Sequence, residues 1–147
     1  MLDMKFEMNR NQRGLIRIKN TDRTIQGGIR DALRQSGKHL VEAGAKEVRT
    51  GKKSGVLYLG RDRLGRRRLR RASAPGETAA NRTGEYAKSF NYRTNGSRLS
   101  FGNSAPHSKF LEVGTRRMKP RPGIRNTVNK EWNKVKQHMF SSVEGAL

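Results

Sequence analysis

The chain has 147 residues, the size of one domain, and 32% of them are hydrophobic, which allows only a modest core. Its 33 basic and 12 acidic residues give a net charge of +21, so we expect a polyanion or an acidic protein as a partner. The absence of cysteine excludes disulfides, thiolate catalysis and cysteine-based zinc sites. No signal peptide or membrane-spanning run is recognisable, so we expect a soluble, intracellular protein without a membrane contact.

The N-terminal region is predicted to be extended. Phe6 and Met8 alternate with Glu7, and this period of two is typical of a strand. A second, weaker alternation covers residues 15–18, and turn-forming residues separate the two runs. We therefore expect two short extended pieces within residues 1–19.

A long helix is the next predicted element. Apolar residues recur every three or four positions from Ile25 to Val48, so one face of a helix over about 22–49 is apolar. Thr21 or Asp22 can cap its first turn. Glycines within the helix lower its intrinsic stability, but they would also let another element pack closely. These glycines are Gly27, Gly28, Gly37 and Gly44.

Residues 49–84 are predicted to form a protruding basic hairpin and a long loop. The predicted strands cover 56–59 and 66–72, and the loop covers 73–84. Arginine binds phosphate and carboxylate oxygens bidentately, so the hairpin suits contact with DNA or with an acidic protein. A solvated basic loop without a partner is the alternative. The predicted contact residues are Arg61, Arg63, Arg66, Arg67, Arg68, Arg70 and Arg71, and Asp62 is the only acid among them.

A second hairpin and a C-terminal helix are predicted further along the chain. Residues 86–93 alternate large and smaller side chains, and Asn95-Gly96 precedes a second run at 99–102. This spacing predicts an antiparallel pair joined by a type I′ turn at Asn95-Gly96. An apolar stripe from Ile124 to Met139 predicts a helix over about 124–140, followed by a flexible tail at 141–147.

The segment before this helix is unusually constrained. We expect Phe110, Leu111 and Val113 to be buried. Glu112 is then a carboxylate within a basic segment, and we expect it to pair with Arg116, Arg117, Lys119 or Arg121. The prolines of Met118-Lys-Pro-Arg-Pro-Gly123 force an extended path, which is either a preformed docking edge or simply the start of the helix.

No catalytic or metal-binding constellation is recognisable. Glu112 has no second acid–base group positioned by the sequence. His39, His107 and His138 lie far apart, without metal-ligand spacing and without an acidic partner. The glycines follow no nucleotide-binding pattern, and there is no Ser-His-Asp elbow. We therefore expect no enzyme, no metal and no cofactor.

Three ordered motifs occur between residue 70 and the C-terminal helix. The first is Arg70-Arg-Ala-Ser-Ala-Pro-Gly-Glu77 with Arg82-Thr-Gly-Glu-Tyr-Ala-Lys-Ser-Phe90. The second is Gly102-Asn-Ser-Ala-Pro-His-Ser-Lys-Phe-Leu-Glu-Val-Gly-Thr115, and the third is Met118-Lys-Pro-Arg-Pro122. With the long helix before them, these motifs resemble the tail-completion or head–tail joining (neck) proteins of long-tailed double-stranded DNA phages over about residues 22–140. Two positions differ from the family pattern, since the family usually has an aromatic residue where His107 stands and a bulky apolar residue where Gly123 stands.

The resemblance implies an α+β fold, in which a long N-terminal helix packs on a small, twisted, mainly antiparallel sheet beside a C-terminal helix and a protruding basic hairpin. It implies a virion protein, assembled in the host cytoplasm as a closed ring around the DNA exit channel, with six copies as the usual number. Its partners would be further copies, the portal, adaptor or head-closure protein, and the tail terminator or tail tube. The implied contact residues are Glu112, Gly114, Thr115, Arg116, Met118, Pro120, Arg121 and Pro122.

Charge alone favours a different function. A basic RNA- or DNA-binding module could grip phosphates through residues 61–71. Aromatic residues are nearly absent from this run, so such contacts would be made to the nucleic-acid backbone rather than to the bases. Non-specific contact with packaged DNA is also compatible with a place in the neck.

Overall fold

The computed structural model describes residues 2–5, 21–62, 64–80 and 82–145, and it has an α+β fold. The predicted extended runs at 6–8 and 15–18 lie outside these residues. The elements are β1 (Leu2–Lys5), α1 (Thr21–Thr50), β2 (Leu57–Arg61), β3 (Arg67–Arg71), α2 (Glu85–Lys88), β4 (Phe90–Asn95), β5 (Arg98–Asn103), α3 (Ser108–Val113) and α4 (Ile124–Glu144).

The strands form two antiparallel sheets. The larger sheet has the order β1-β5-β4, and the smaller one consists of β2 and β3. The predicted β4–β5 hairpin is confirmed, but its turn is shifted by one residue because Asn95 still pairs with Arg98. The two turn residues are therefore Gly96 and Ser97, and Gly96 has the positive φ of +57° that such a tight turn requires.

The long helix α1 packs on β4 and β5 and against α4, and two of its glycines explain how closely the sheet approaches. A Cβ atom at Gly37 would collide with the ring of Tyr92. At Gly44 it would lie 3.1 Å from the ring of Phe90. The expectation that small residues allow close packing is thus confirmed at these two positions.

The core lies between α1, the larger sheet and α4. Leu40 of α1 and Phe101 of β5 are fully buried, and the ring of Phe101 stacks on that of Phe90 with centroids 5.6 Å apart. From α4, Val135 and Met139 complete the core, as the predicted apolar stripe indicated. These contacts hold the two long helices and the sheet as one body.

Two predicted boundaries were wrong. Residues 85–88 form a helical turn rather than a strand, because the adjacent residues Tyr86 and Ala87 are both buried and a strand would turn one of them outward. The helix α4 continues through Glu144 beyond the predicted end at 140, since Val143 still packs against the core.

Candidate functional site

The predicted basic hairpin is present, and we call residues 57–71 the arm. Its strands β2 and β3 pair from Leu57 opposite Arg71 to Arg61 opposite Arg67. Arg63 lies outside the described residues. Of the other predicted contact residues, Arg61, Arg66, Arg67, Arg68 and Arg71 are exposed and Arg70 is half-buried.

The turn of the arm is closed by its one acid, Asp62. This carboxylate accepts hydrogen bonds from the backbone N–H groups of Leu64 (2.9 Å) and Arg66 (3.0 Å). It also lies 3.2 Å from the Nε atom of Arg66 and 3.4 Å from that of Arg68. Desolvation acts to raise the pKa of Asp62, but these hydrogen bonds and the charge of Arg68 outweigh it and hold the pKa below its usual range. The arm is therefore an ordered hairpin in which two guanidinium groups are held in place.

One side of the arm, which we call the leucine face, is apolar and exposed. Directly opposed residues of an antiparallel pair point to the same side, so Leu57, Leu59 and Leu69 share a face. Leu59 is 69% and Leu69 is 67% exposed, which is unusual for leucine in a strand. Only the arginines were predicted as contact residues here, although the alternation of Leu57 and Leu59 in the sequence indicates this face. Arginines border the leucines on the same side, namely Arg61, Arg67 and Arg71.

The opposite side of the arm faces the body. Tyr58 and Arg70 are paired across the strands and lie over Gly60, where a Cβ atom would be 3.1 Å from each side chain. Arg70 Nη1 donates a hydrogen bond of 3.1 Å to the carbonyl oxygen of Arg82. The leucine face must therefore point away from the body.

The second predicted region consists of α3 and of residues 114–123. We call residues 114–123 the strap. The prediction that Phe110 and Val113 are buried was wrong, since they are 54% and 69% exposed. The two residues lie one helical turn apart and therefore share a side of α3, whereas Leu111 packs partly against the core. Together Phe110 and Val113 give α3 an outward apolar side.

Glu112 caps α4, and the predicted pairing with a neighbouring arginine or lysine was wrong. Its Oε1 atom accepts hydrogen bonds from the backbone N–H groups of Gly123 (2.7 Å) and Ile124 (2.6 Å). The first N–H groups of a helix lack partners within it and carry partial positive charge, so a carboxylate stabilises them. The Tyr86 hydroxyl donates to the same oxygen at 3.4 Å, and burial with the nearby carboxylate raises the pKa of Tyr86 well above its usual range. A carboxylate from α3 thus fixes the start of α4.

The strap itself is tightly bonded. Gly114 has φ +82°, and its neighbour Thr115 exchanges backbone hydrogen bonds with Met118 to close a turn. The path through Pro120 and Pro122 contains no helix, as predicted, and Pro122 is buried. Several implied contact residues therefore have roles inside the subunit, and those that remain exposed are Thr115, Arg116 and Pro120.

The long loop after the arm is fastened to the body by Glu77. The carboxylate accepts hydrogen bonds from the Ser54 hydroxyl (2.5 Å) and from the backbone N–H groups of Ser54 (2.9 Å) and Ala74 (2.8 Å). These bonds, that of the Ser54 hydroxyl first, lower the pKa of Glu77 to about 2. The Gly76 N–H donates to the carbonyl oxygen of Pro120 at 2.9 Å, so the loop is also joined to the strap.

Two histidines that are far apart in sequence meet between α1 and α4. His39 lies 2.6 Å from Glu131, and its ring contacts that of His138 edge-on with centroids 5.6 Å apart. The expectation that the histidines lack an acidic partner was wrong for His39, because 92 residues separate it from Glu131 in the sequence. Within the described ranges, no group of three or more acidic, histidine or cysteine side chains is placed to hold a metal ion.

Tyr86 lies against both His107 and Gly123. The ring of His107 lies against that of Tyr86, with centroids 5.7 Å apart. A Cβ atom at Gly123 would collide with the Tyr86 hydroxyl. The buried Tyr86 therefore leaves no room for a side chain at position 123.

Comparisons of the chain with protein-family models, with curated proteins and with solved structures find no match in any of the three. In the part of the chain that the structure describes, no helix combines the length and the apolar character needed to cross a membrane.

Proposed function

We propose that this protein is a structural subunit of a tailed phage particle and that it forms part of a ring in the neck, around the DNA exit channel. The ring would complete the tail or join it to the head. Its partners would be further copies of the subunit, in a hexamer, with the portal, adaptor or head-closure protein on one side and the tail terminator or tail tube on the other. The role would be structural rather than enzymatic.

The leucine face is the observation that carries this proposal. Contiguous exposed apolar patches on a folded protein mark sites of contact with another protein, a membrane or a ligand. Interface centres of this kind are apolar and enriched in arginine, which matches leucines bordered by Arg61, Arg67 and Arg71. Fully burying one leucine stabilises a contact by roughly 1.5–3 kcal/mol. A hairpin that only gripped phosphates would need none of these leucines.

The strap supports the same function. It is fixed at both ends, by Gly114 at the end of α3 and by the Glu112 cap at the start of α4. The exposed Arg116 and Pro120 are therefore presented on a backbone that is ordered before any partner arrives. Such preorganisation lowers the entropic cost of association. The end of the second motif and the third motif of the family resemblance thus lie on a rigid edge with exposed residues.

Nucleic-acid binding remains the second candidate, and the exposed arginines of the arm favour it. With a chain charge of +21, six phosphate contacts would give a log–log salt slope of about −5. The same surface could make non-specific contacts with packaged DNA in a neck.

Two arm variants separate these functions. The first replaces Leu57, Leu59 and Leu69 by serine, and the second replaces the arginines Arg66, Arg67, Arg68, Arg70 and Arg71 by serine. We expect the wild-type protein, alone or with purified portal or tail-tube protein, to form a ring that persists at high salt in size-exclusion chromatography with light scattering. The leucine variant should remain monomeric at both low and high salt.

The arginine variant should keep its fold but fail to join filled heads to tails. Normal yields of infectious particles from it would contradict the role of the arm. A wild-type protein that stays monomeric with every virion component, and that shifts short duplex DNA with a steep salt slope, would support the second candidate instead.

A further inference from the structure

We propose that the cleft between the arm and the strap binds a carboxylate-bearing segment of an acidic partner protein. The cleft has a volume of about 510 Å³. Tyr58 of the arm, Ser73 and Arg82 of the long loop, Tyr86 of α2 and Arg121 of the strap contribute to its walls. This site is separate from the leucine face, which lies on the other side of the arm, and its ligand does not depend on which assembly the protein joins.

Arg121 is the residue that points to an anionic ligand. Its Nε atom is buried and has no hydrogen-bond partner among the described residues. Leaving a buried N–H of a charged group unpaired is costly, so such groups normally have an acceptor. A guanidinium group presents paired N–H donors that match the two oxygens of a carboxylate. Because the Nε atom has no exposed surface, the half-buried side chain has to rotate slightly towards the cleft, where an incoming carboxylate would supply the acceptor that the subunit itself lacks.

The backbone around Arg121 keeps this side chain at the cleft. The Arg121 N–H donates to the carbonyl oxygen of Leu111 at 2.8 Å. The next residue, Pro122, is buried, and its carbonyl oxygen accepts a hydrogen bond of 3.5 Å from the Thr78 hydroxyl. The guanidinium group is thus attached to a fixed strap, and little order has to be gained when a ligand binds.

The other residues that line the cleft indicate which groups lie next to the carboxylate in the ligand. Arg82 supplies a second guanidinium group, whereas Ala79 and Leu111 supply apolar surface. Most specific pockets combine apolar walls with a few polar groups that fix orientation. A glutamate or aspartate next to an apolar residue in a polypeptide offers both a carboxylate and an apolar side chain.

Glu85 also lines the cleft and argues against phosphate as the ligand. Its negative charge repels a doubly charged phosphate more strongly than a singly charged carboxylate. A nucleic-acid backbone, in addition, would place polar sugars against Ala79 and Leu111. The combination of two guanidinium groups, an acidic neighbour and apolar walls favours a protein ligand.

The charge of the chain favours a partner other than a second copy. Of its 12 acidic residues, five accept hydrogen bonds from other residues in the described part of the subunit. They are Glu47, Asp62, Glu77, Glu112 and Glu131. A second copy therefore has few free carboxylates to place in this cleft. A partner with an excess of acidic residues is electrostatically complementary.

The test uses the full-length protein and the capped dipeptide acetyl-Leu-Glu-amide. The arginine Nε–H signals are followed by NMR during titration, with Arg121→Lys and Arg82→Lys used for assignment. We expect the Arg121 signal to shift saturably, with a dissociation constant in the millimolar range. Acetyl-Leu-Gln-amide, which lacks the carboxylate, should bind at least about tenfold more weakly.

Arg121→Lys keeps the positive charge but removes the Nε donor, so its affinity for the dipeptide should fall about tenfold. Arg117→Lys is the matched control, since Arg117 is exposed and does not line the cleft, and its affinity should equal that of the wild type. The saturable shift and the comparison of the two dipeptides are measured on the wild type, and only the assignment of the Arg121 signal uses a variant.

Four outcomes would overturn the proposal. The first is the absence of a saturable shift of Arg121, and the second is equal binding of the glutamine dipeptide. The third is tighter binding of inorganic phosphate or short duplex DNA at Arg121, which would make the cleft a phosphate site. The fourth is a shift of Arg121 that depends on protein concentration without any peptide, which would assign the cleft to a second copy.

Discussion

In the body of the molecule, formed by the long helices α1 and α4 and the three-stranded sheet, Leu40 and Leu99 are 0% and 2% exposed. In the arm, Leu59 and Leu69 are more than two-thirds exposed, although they also lie in paired strands. The same residue type thus serves packing within the subunit in one region and faces solvent in the other. The arm sequence is therefore not explained by the stability of the isolated subunit.

The pairing of charged residues also differs between the body and the arm. Carboxylates of the body satisfy specific groups, as Glu112 does at the start of α4 and Glu131 does beside His39. In the arm, Asp62 holds Arg66 and Arg68, whereas the other arginines that the structure describes there form no ion pair. A surface that combines unneutralised arginines with exposed leucines fits a partner that brings both acidic and apolar groups.

The largest expected difference comes from one substitution made in both regions. Leu99→Ala removes a buried side chain and should lower the free energy of unfolding by about 2–5 kcal/mol, because a cavity remains. Leu69→Ala should change it by no more than about 0.5 kcal/mol, since the side chain is already exposed. Urea unfolding of both variants measures these two changes in the free energy of unfolding. A loss at Leu69 as large as that at Leu99 would mean that the arm packs on the isolated subunit.

The next effect concerns the cap of α4. Glu112→Gln removes the charge that accepts two short backbone hydrogen bonds, and it should lower the free energy of unfolding by about 1.5–3 kcal/mol. Glu42→Gln, on an exposed position of α1, is the matched control and should change it little. Equal stability of the two variants would show that the carboxylate of Glu112 is not needed at the helix start.

A pair of glycines in α1 tests the close approach of the sheet. Gly37→Ala would push its Cβ atom into the ring of Tyr92, and we expect a loss of about 1–3 kcal/mol from overpacking. Gly27→Ala meets no atom within 4 Å and should instead stabilise the helix by up to about 1 kcal/mol. Thermal unfolding of both variants shows which substitution stabilises the protein and which destabilises it. A stabilised Gly37→Ala would mean that Tyr92 moves aside freely.

The elements that depend on local periodicity could be predicted from the sequence. The apolar repeats of α1 and α4 and the turn signal near Gly96 identified both long helices and the β4–β5 hairpin within a few residues. The arm was also predictable, because its strands are separated by turn-forming residues. In each case the deciding information lies within a short window of sequence.

The partners of the polar groups could not be predicted, because they are distant in sequence. Four basic residues lie within the nine positions after Glu112, yet its carboxylate bonds the backbone of Gly123 and Ile124. A helix start with unpaired N–H groups competes better for a carboxylate than exposed, hydrated side chains do. The same limit applies to Phe110 and Val113, whose outward direction depends on how α3 lies against the body.

The smallest effect is expected where the arm joins the body, at Glu77. Its folded pKa of about 2 lies below the ordinary value of 4.5, so the unfolded chain binds a proton more readily than the folded one. The stability that Glu77 contributes is therefore complete above about pH 4.5 and is lost as the pH falls towards about 2. Urea unfolding of Glu77→Gln between pH 7 and pH 2 should give a shallower decline than that of the wild type.

The acid decline of the Glu77→Gln variant should be shallower but not absent, because Asp62 and Glu131 also have lowered pKa values and remain. Glu85→Gln, at an exposed carboxylate of α2, is the matched control. The Ser54 and Ala74 N–H groups lose a charged acceptor in Glu77→Gln, so their hydrogen exchange should also become faster at neutral pH. If the acid decline of Glu77→Gln ran parallel to that of the wild type and exchange at Ser54 were unchanged, the bonds of Glu77 would not be what joins the arm to the body.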